Sequence, residues 1–317
     1  MQIPSADRLQ PLGLAGAFGA AVSWGASGVI AKVIELDGLA VVAYRFWLSA
    51  IALGVFMTVT RRLPSRATFI AATPGGLALA ADVALFFSAI KLTTVANATV
   101  ITAAQPLLMM YLGSRFLGER VGRSQLLWSM VALAGIGLLV SGSIGSEEWS
   151  PLGDALAVGA LVAWTAYLFL SKARQDRVGP LAYTAVTAFW SALGATVIGL
   201  AIGQDLSWPE TRDWVLLGVM AFGSGLGAHL LMNWALTKIP VWLGSTTTLM
   251  IPVSASAMAW IWLNEPLGLS QLAGIGLTLA ALAAITIGRA TGLRTPEKGQ
   301  AGSVVAQRRR HRRLSRR

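Results

Sequence analysis

Along this chain, long apolar runs alternate with short polar breaks ten times. Runs rich in Leu, Val, Ala and Ile predict helices over Leu12–Ile34, Leu39–Thr58, Phe69–Ile90, Thr94–Phe116 and Gln125–Ser141. Five more are predicted over Leu152–Ser171, Leu181–Ile202, Trp214–Thr237, Val241–Leu263 and Gln271–Gly288. Crossing the bilayer takes roughly 20 apolar residues, and these runs show no strand alternation. Backbone in lipid must satisfy its own hydrogen bonds, which selects helices. The first run leads directly into further spans and has no clear small-residue cleavage site, so it reads as a retained helix and not a signal peptide.

Composition agrees with this pattern. Of 317 residues, 55% are hydrophobic and 12% charged, a charged fraction about half that of a soluble domain. A water-facing fold cannot hide so much apolar surface in one core. There is no Cys, and one of the two His residues, His311, lies in a basic tail. Disulfides and thiolate metal sites are therefore excluded; neither a metal nor a cofactor is expected.

The net charge of +11 would suggest nucleic acid if it were spread over the chain. From Arg289 onward, however, ten Lys and Arg stand against the single Glu297, so the tail alone carries +9. Such a tail is expected to face anionic lipid at the cytoplasmic surface and not nucleic acid. Arg8, Arg61, Arg62, Arg66, Arg115, Arg120, Arg123, Lys172, Arg174, Arg177 and Lys238 fall on the same side as the tail, against Lys32, Lys91 and Arg212 on the other. That bias predicts a multi-pass protein of the cell (inner) membrane with both termini cytoplasmic.

The chain also repeats itself. Pro106, Glu119 and Ser124-Gln125-Leu126 recur as Pro252, Glu265 and Ser270-Gln271-Leu272, all at an offset of 146. Trp24 and Lys32 recur as Trp164 and Lys172 at 140, and Phe46-Trp47 as Phe189-Trp190 at 143. LAGIGL also occurs twice, at Leu133–Leu138 and Leu272–Leu277, but at 139, outside the register of the other matches. It reads as chance. Five spans per repeat is an odd number, so the second half enters the membrane inverted. Residues 1–11 form a cytoplasmic segment, 12–142 the first repeat, 150–289 the second, and 290–317 a tail expected to be disordered. The predicted class is an all-α integral membrane protein of ten transmembrane helices in two inverted-topology repeats. Inverted repeats commonly support alternating access, with a site near the midplane.

The stretch Pro106-LLMMYLGSRFLG-Glu119-RVGRSQLLWSMVALAGIGLLV resembles the end of an EamA repeat of the drug/metabolite transporter superfamily. Pro252-VSASAMAWIWLN-Glu265-PLGLSQLAGIG is similar to the same segment of a second repeat, and Tyr44-Arg45-Phe46-Trp47 to the Arg-bearing second helix. Gly153-Asp154 followed by Trp164 matches the start of the second repeat. Ala188 stands where Arg45 would align, and Asn264-Glu265-Pro266 replaces the Gly-Glu-Arg corner. The resemblance implies a cavity lined by helices one to four and six to nine, with five and ten at the periphery. It further implies outward movement of small metabolites, often amino acids or amphipathic compounds, with proton coupling suspected.

Ionisable groups at membrane depth call for a functional hypothesis. Asp82 lies near the middle of the third span, with Phe86 one turn on. His229 lies mid-span in the eighth, with Asn233 one turn on. Asp82 and His229 fall within one residue of each other in the repeat register. They are candidates for proton coupling, against the alternative that each is neutral or satisfied by a neighbouring helix. Arg45 either snorkels outward or meets a substrate carboxylate or an acidic partner. Thr94, Asn97, Thr102 and Gln105 share a polar face of the fourth span, answered by Ser245, Thr246, Thr247 and Thr248 in the ninth; such hydroxyls bind substrate or join helices. Trp24 and Ser27, with Trp164 and Tyr167, offer an aromatic wall that could equally be packing. Glu119 and Glu265 read as corners that pair with a nearby Arg or cap the next helix. Gly223, Gly225 and Gly227 follow no strand, so they suggest close packing or a hinge and not a nucleotide loop.

The expected partners are a small-molecule substrate and membrane lipid. A secondary transporter is the leading reading. A membrane-embedded lipid-modifying enzyme needs clustered acids and nucleophile–base pairs at one interface, which the acidic loops lack. A channel is the third reading, disfavoured by the inverted duplication.

Overall fold

The computed structural model describes residues 6–92, 95–141, 150–264 and 266–292, without the side chains of 6–9, 91, 95–97 and 288–292. Thr94, Glu265, Trp149, the side chains of Lys91 and Asn97, and the tail beyond residue 292 lie outside it. All regular structure among the described residues is helical. Nine stretches there are long and apolar enough to cross a membrane. The first half comprises α1 (Ala6–Lys32), α2 (Gly38–Val59), α3 (Arg66–Leu92), α4 in two pieces (Val95–Ala103 and Gln105–Phe116) and α5 (Arg123–Ser141). The second comprises α6 (Pro151–Ala173), α7 (Pro180–Ala201), α8 (Thr211–Ala235), α9 in two pieces (Val241–Thr247 and Met250–Leu263) and α10 (Leu269–Gly292). The 9 and 12 residues of α4 supply the tenth crossing, about 30 Å at 1.5 Å per residue.

Three spans are irregular, each at a place with a chemical cause. Pro106 lacks the N–H that would bond the Thr102 carbonyl, and its ring clashes with that group. The helix breaks at Ala104, where the Ala104 N–H donates to Ile101 at 3.1 Å and Leu107 to Ala104 at 3.0 Å. Pro252 does the same to Thr248, and the chain tightens there through Thr248 N–H to Ser245 at 3.0 Å and Ile251 N–H to Thr248 at 2.9 Å. In α8, the glycine run lies inside a π-helical stretch, Ala221–Gly227. Such widening is frequent at functional positions.

Each half closes against the other, not on itself. α3 lies along α6 and α7, α2 along α7, and α1 along α8 and the second piece of α9. The repeated Phe-Trp pair helps join them. Trp47 Nε1 donates to Thr196 Oγ1 at 3.0 Å, and Trp190 Nε1 to Thr73 Oγ1 at 3.2 Å. α5 and α10 pack mainly on each other.

The two corners use one geometry with different residues. Gly118 takes φ +65°, and the N–H groups of Leu117 and Glu119 both reach the Gly113 carbonyl at 3.1 Å, a left-handed helix stop. In the second half, Asn264 takes φ +54° and its N–H bonds Ala259, the counterpart of Gly113. Asn is among the few L residues that visit this region routinely, so the departure in sequence preserves the turn.

The two LAGIGL segments turn out to meet. Gly135 in one and Gly274 in the other lie at the α5–α10 crossing, where a Cβ added to Gly274 would sit 2.6 Å from the Gly135 carbonyl oxygen and 2.7 Å from the Leu139 Cα. Thr278 Oγ1 reaches back to the Gly274 carbonyl at 2.9 Å. Both obstacles to a Cβ are backbone, so neither can swing aside. Gly274→Ala is expected to cost about 1–3 kcal/mol through forced separation of the two helices. Thermal unfolding of the purified protein measures this; an unchanged midpoint would contradict the crossing.

Candidate functional site

A cage of rings forms where α1, α2, α6 and α8 converge. The His229 ring centroid lies 5.0 Å from Trp24, 5.6 Å from Phe46, 5.6 Å from Tyr167 and 6.3 Å from Trp164. Trp24 meets Trp164 edge-on at 5.1 Å, so the matching tryptophans of the two repeats touch. Trp24 Nε1 donates to the Ser224 carbonyl at 3.1 Å, inside the π stretch. A π turn leaves carbonyls poorly matched to the helix, and this indole takes one of them.

Beneath the cage lies a hydrogen-bonded polar knot. Asn233 Oδ1 accepts from Ser171 Oγ at 2.7 Å and lies 3.3 Å from Tyr167 Oη. Its Nδ2 donates to Tyr167 Oη at 3.1 Å and Thr184 Oγ1 at 3.0 Å. The Tyr167 hydroxyl also lies 3.0 Å from His229 Nδ1, a hydrogen bond whose direction depends on the His229 tautomer. Tyr183 Oη closes the layer on the Tyr167 carbonyl at 2.9 Å.

Beside the cage the accounting is incomplete. Arg45 Nη1 donates to Ser27 Oγ at 3.0 Å and its guanidinium lies 4.8 Å from the Phe46 ring, yet its buried Nε has no partner. Asp82 is half-buried and lies within electrostatic reach of Arg45, but makes no hydrogen bond or ion pair among the described residues. Arg45 acts on His229 as well. At the breaks in α4 and α9, Gln105 Oε1 accepts from Ser245 Oγ at 2.5 Å and faces Thr248 Oγ1 at 3.5 Å. Its Nε2 is buried without a partner. Buried donors left open are rare and costly, and each invites an acceptor that comes and goes.

The structure therefore brings together Trp24, Trp164, Tyr167, His229 and Asn233, sets Ser27 and Arg45 beside them, and leaves Asp82 within electrostatic reach of Arg45. Gln105 and Thr248 form a second pair at the helix breaks. Thr102 Oγ1 bonds its own helix, at Ala98 2.8 Å and Thr99 3.1 Å. Phe86 stands apart: it meets Phe87 at 6.0 Å and packs with Ala89, Ala98 and Ala157. One turn from Asp82 along α3, it faces the start of α6 and not the cage. Ser245, from the polar face of the ninth span, joins the second pair, and Phe46 joins the cage although the sequence offered it only within two motifs and not as a site residue.

Glu119 differs from its expected role. It caps neither the next helix nor an Arg: Oε1 and Oε2 accept the N–H groups of Val241 and Trp242 at 2.7 and 3.3 Å, the start of α9 in the other half.

The sequence profile of the EamA-like transporter family matches residues 11–141 and again 151–287. An uncharacterized transporter of Bacillus subtilis strain 168, YwfM, is 28% identical, covering 84% of this chain and 91% of its own. A "probable amino-acid metabolite efflux pump" of Salmonella typhimurium is 27% identical, covering 82% and 90%. One of the same description in Escherichia coli K12 is 25% identical over the same shares. A protein of known crystal structure superposes with a TM-score of 0.73 at 19% identity, covering 88% of this chain and 98% of that one, a likeness of fold.

The knot yields a stability test. Asn233→Leu removes every partner of the amide and strands Ser171 and Thr184, at an expected cost of about 1–3 kcal/mol. Thermal unfolding in detergent reads it; a variant as stable as wild type would show that the knot contributes nothing.

Proposed function

Because the chain belongs to the EamA-like transporter family, we propose that it is a secondary carrier that exports a small metabolite, such as an amino acid or an amphipathic compound, by alternating access. Membership in a family of transporters, and not of lipid-modifying enzymes, sets the enzyme reading aside. In this proposal the protein lies in the cell's inner membrane with both termini cytoplasmic, the basic tail against anionic lipid and the two repeats dividing near residues 142–150.

The observation that carries the reading is the pairing of an open cationic donor with an open carboxylate beside an aromatic wall. Arg45 Nε lacks a partner, Asp82 lacks a hydrogen bond, and Trp24 and Trp164 stand alongside. A zwitterion fits that set: its carboxylate meets Arg45, its ammonium Asp82, and its apolar part the indoles. Ser27 orients the guanidinium, while Tyr167 and Asn233 hold the floor. Gln105, with Thr248 and Thr102, supplies a second polar surface at the helix breaks; Asn97, the other candidate of that face, has its side chain outside the described residues. Phe86 serves only as packing. Asp82, which no hydrogen bond or ion pair among the described residues holds ionised, can take a proton, and the His229 imidazole can take one on its unprotonated ring nitrogen, so these two are the proposed proton carriers. The amino-acid assignment draws on the relatives described as metabolite efflux pumps.

Flux through proteoliposomes tests this. Saturable movement of amino acids, accelerated by an imposed pH gradient, is expected of the wild type. Arg45→Lys keeps the charge but loses the guanidinium fork, and is expected to cost about tenfold in kcat/KM. Asp82→Asn is expected to abolish the response to the gradient. Wild-type flux from Arg45→Lys would contradict carboxylate recognition, and an unchanged gradient response in Asp82→Asn would contradict its proton role.

A further inference from the structure

The five residues joining α8 to α9, Leu236 to Pro240, are held by opposite charges. On one side, Glu119 accepts the first two N–H groups of α9, from Val241 and Trp242. On the other, Lys172 Nζ donates to the Leu236 carbonyl at 2.6 Å, just past the end of α8, and to the Ile239 carbonyl at 2.9 Å within the link. An anion at a helix start and a cation at a helix end are each the favourable sign for the helix dipole. Glu119 and Lys172 also attract one another across the link. They come from different repeats: Glu119 lies in the corner after α4, whose Gln105 lines the breaks, and Lys172 lies in the last turn of α6, next to Ser171 of the knot.

The link also borders an open cavity of about 430 Å³, lined by Gln10, Leu117, Glu119, Lys172, Thr237 and Lys238. Deeper along α8 the packing is close. Met232, one turn below Leu236, is fully buried and lies against Gly244 of α9. The site begins there, since Asn233 and His229 lie on α8 and Ser245 and Thr248 on α9. Anything that frees this link lets the ends of α8 and α9 part from α4 and α6, opening a path from cavity to cage.

We propose that Glu119 and Lys172 are gating residues: together they clamp the α8–α9 link and close the transport path on this face. This rests on the carrier reading above, which places this face in the cytoplasm. Release of either clamp exposes the packing beneath the link, and re-formation closes it as substrate passes to the other side.

The chain has no Cys, so a single Met232→Cys reporter is unambiguous. The probe is a maleimide small enough to enter the cavity, applied to purified, folded protein without substrate. In that background, Glu119→Leu and Lys172→Met are each expected to raise the labelling rate about tenfold, the population shift that loss of a charge-assisted clamp produces. Lys172→Arg, which can still reach the carbonyls, is expected to restore slow labelling. The two variants act on opposite ends of the link, so the test stands if either one folds. A lowered melting temperature with unchanged labelling in the folded variants would overturn the gate and leave only a structural corner. Labelling equally fast in Lys172→Arg and Lys172→Met would overturn it as well. The readout needs no transported solute. Failure of flux alone therefore bears on the proposed substrate, and failure of labelling alone on the gate.

Discussion

A polar group in the membrane interior has no water to fall back on, and most of this fold can be read as the way each such group is answered. The Asn233 amide is the clearest case: it collects Tyr167, Ser171 and Thr184 and, through Tyr167, fixes His229. Because those partners sit on α6, α7 and α8, one side chain ties three helices of the second half. The same demand brings Trp24 across to the π turn of α8 and Trp190 across to α3, joining the halves. Against that background, Arg45 and Gln105 are two of the few side chains left with an open buried donor, and they lie beside the cage and at the helix breaks.

The irregular backbone follows from the same constraint. Pro106 and Pro252 free carbonyls in the middle of two spans, and the chain places both breaks facing the interior, where Gln105, Ser245 and Thr248 answer one another. α5 and α10 have no such breaks. They carry close-packed small residues instead and serve as a peripheral pair. A rigid outer pair and broken inner spans suit a molecule whose inner helices move.

Much of this was legible in the sequence. The ten apolar runs follow from length and hydropathy alone, since spanning demands them. Trp24, Trp164, Tyr167 and His229 stood out as large or ionisable groups at membrane depth, and they do meet. Phe86 was placed by helical spacing from Asp82, and spacing says which residues share a face but not which neighbour that face meets. Glu119 was read as local because its partner lies 122 residues away, across the halves. LAGIGL failed the repeat register and looked accidental, yet small residues at matching heights are what a close crossing needs. Asn264 looked like a lost motif until its positive φ showed the turn retained. Asn264 apart, whose answer is a local backbone angle, the missing information was a contact between halves, which one chain read in order does not display.

The central claim is that Arg45 is kept under-bonded for a ligand, at a cost in stability, since binding sites are often strained relative to the rest of a fold. The most direct test is thermal unfolding of wild type and Arg45→Met, each titrated with zwitterionic amino acids and with their esters. If the claim holds, Arg45→Met melts no lower than wild type without ligand, and no amino acid stabilises it, whereas wild type gains stability from the zwitterion and not the ester. A variant that melts lower and still gains full stabilisation from amino acids would make Arg45 a structural residue and contradict the claim.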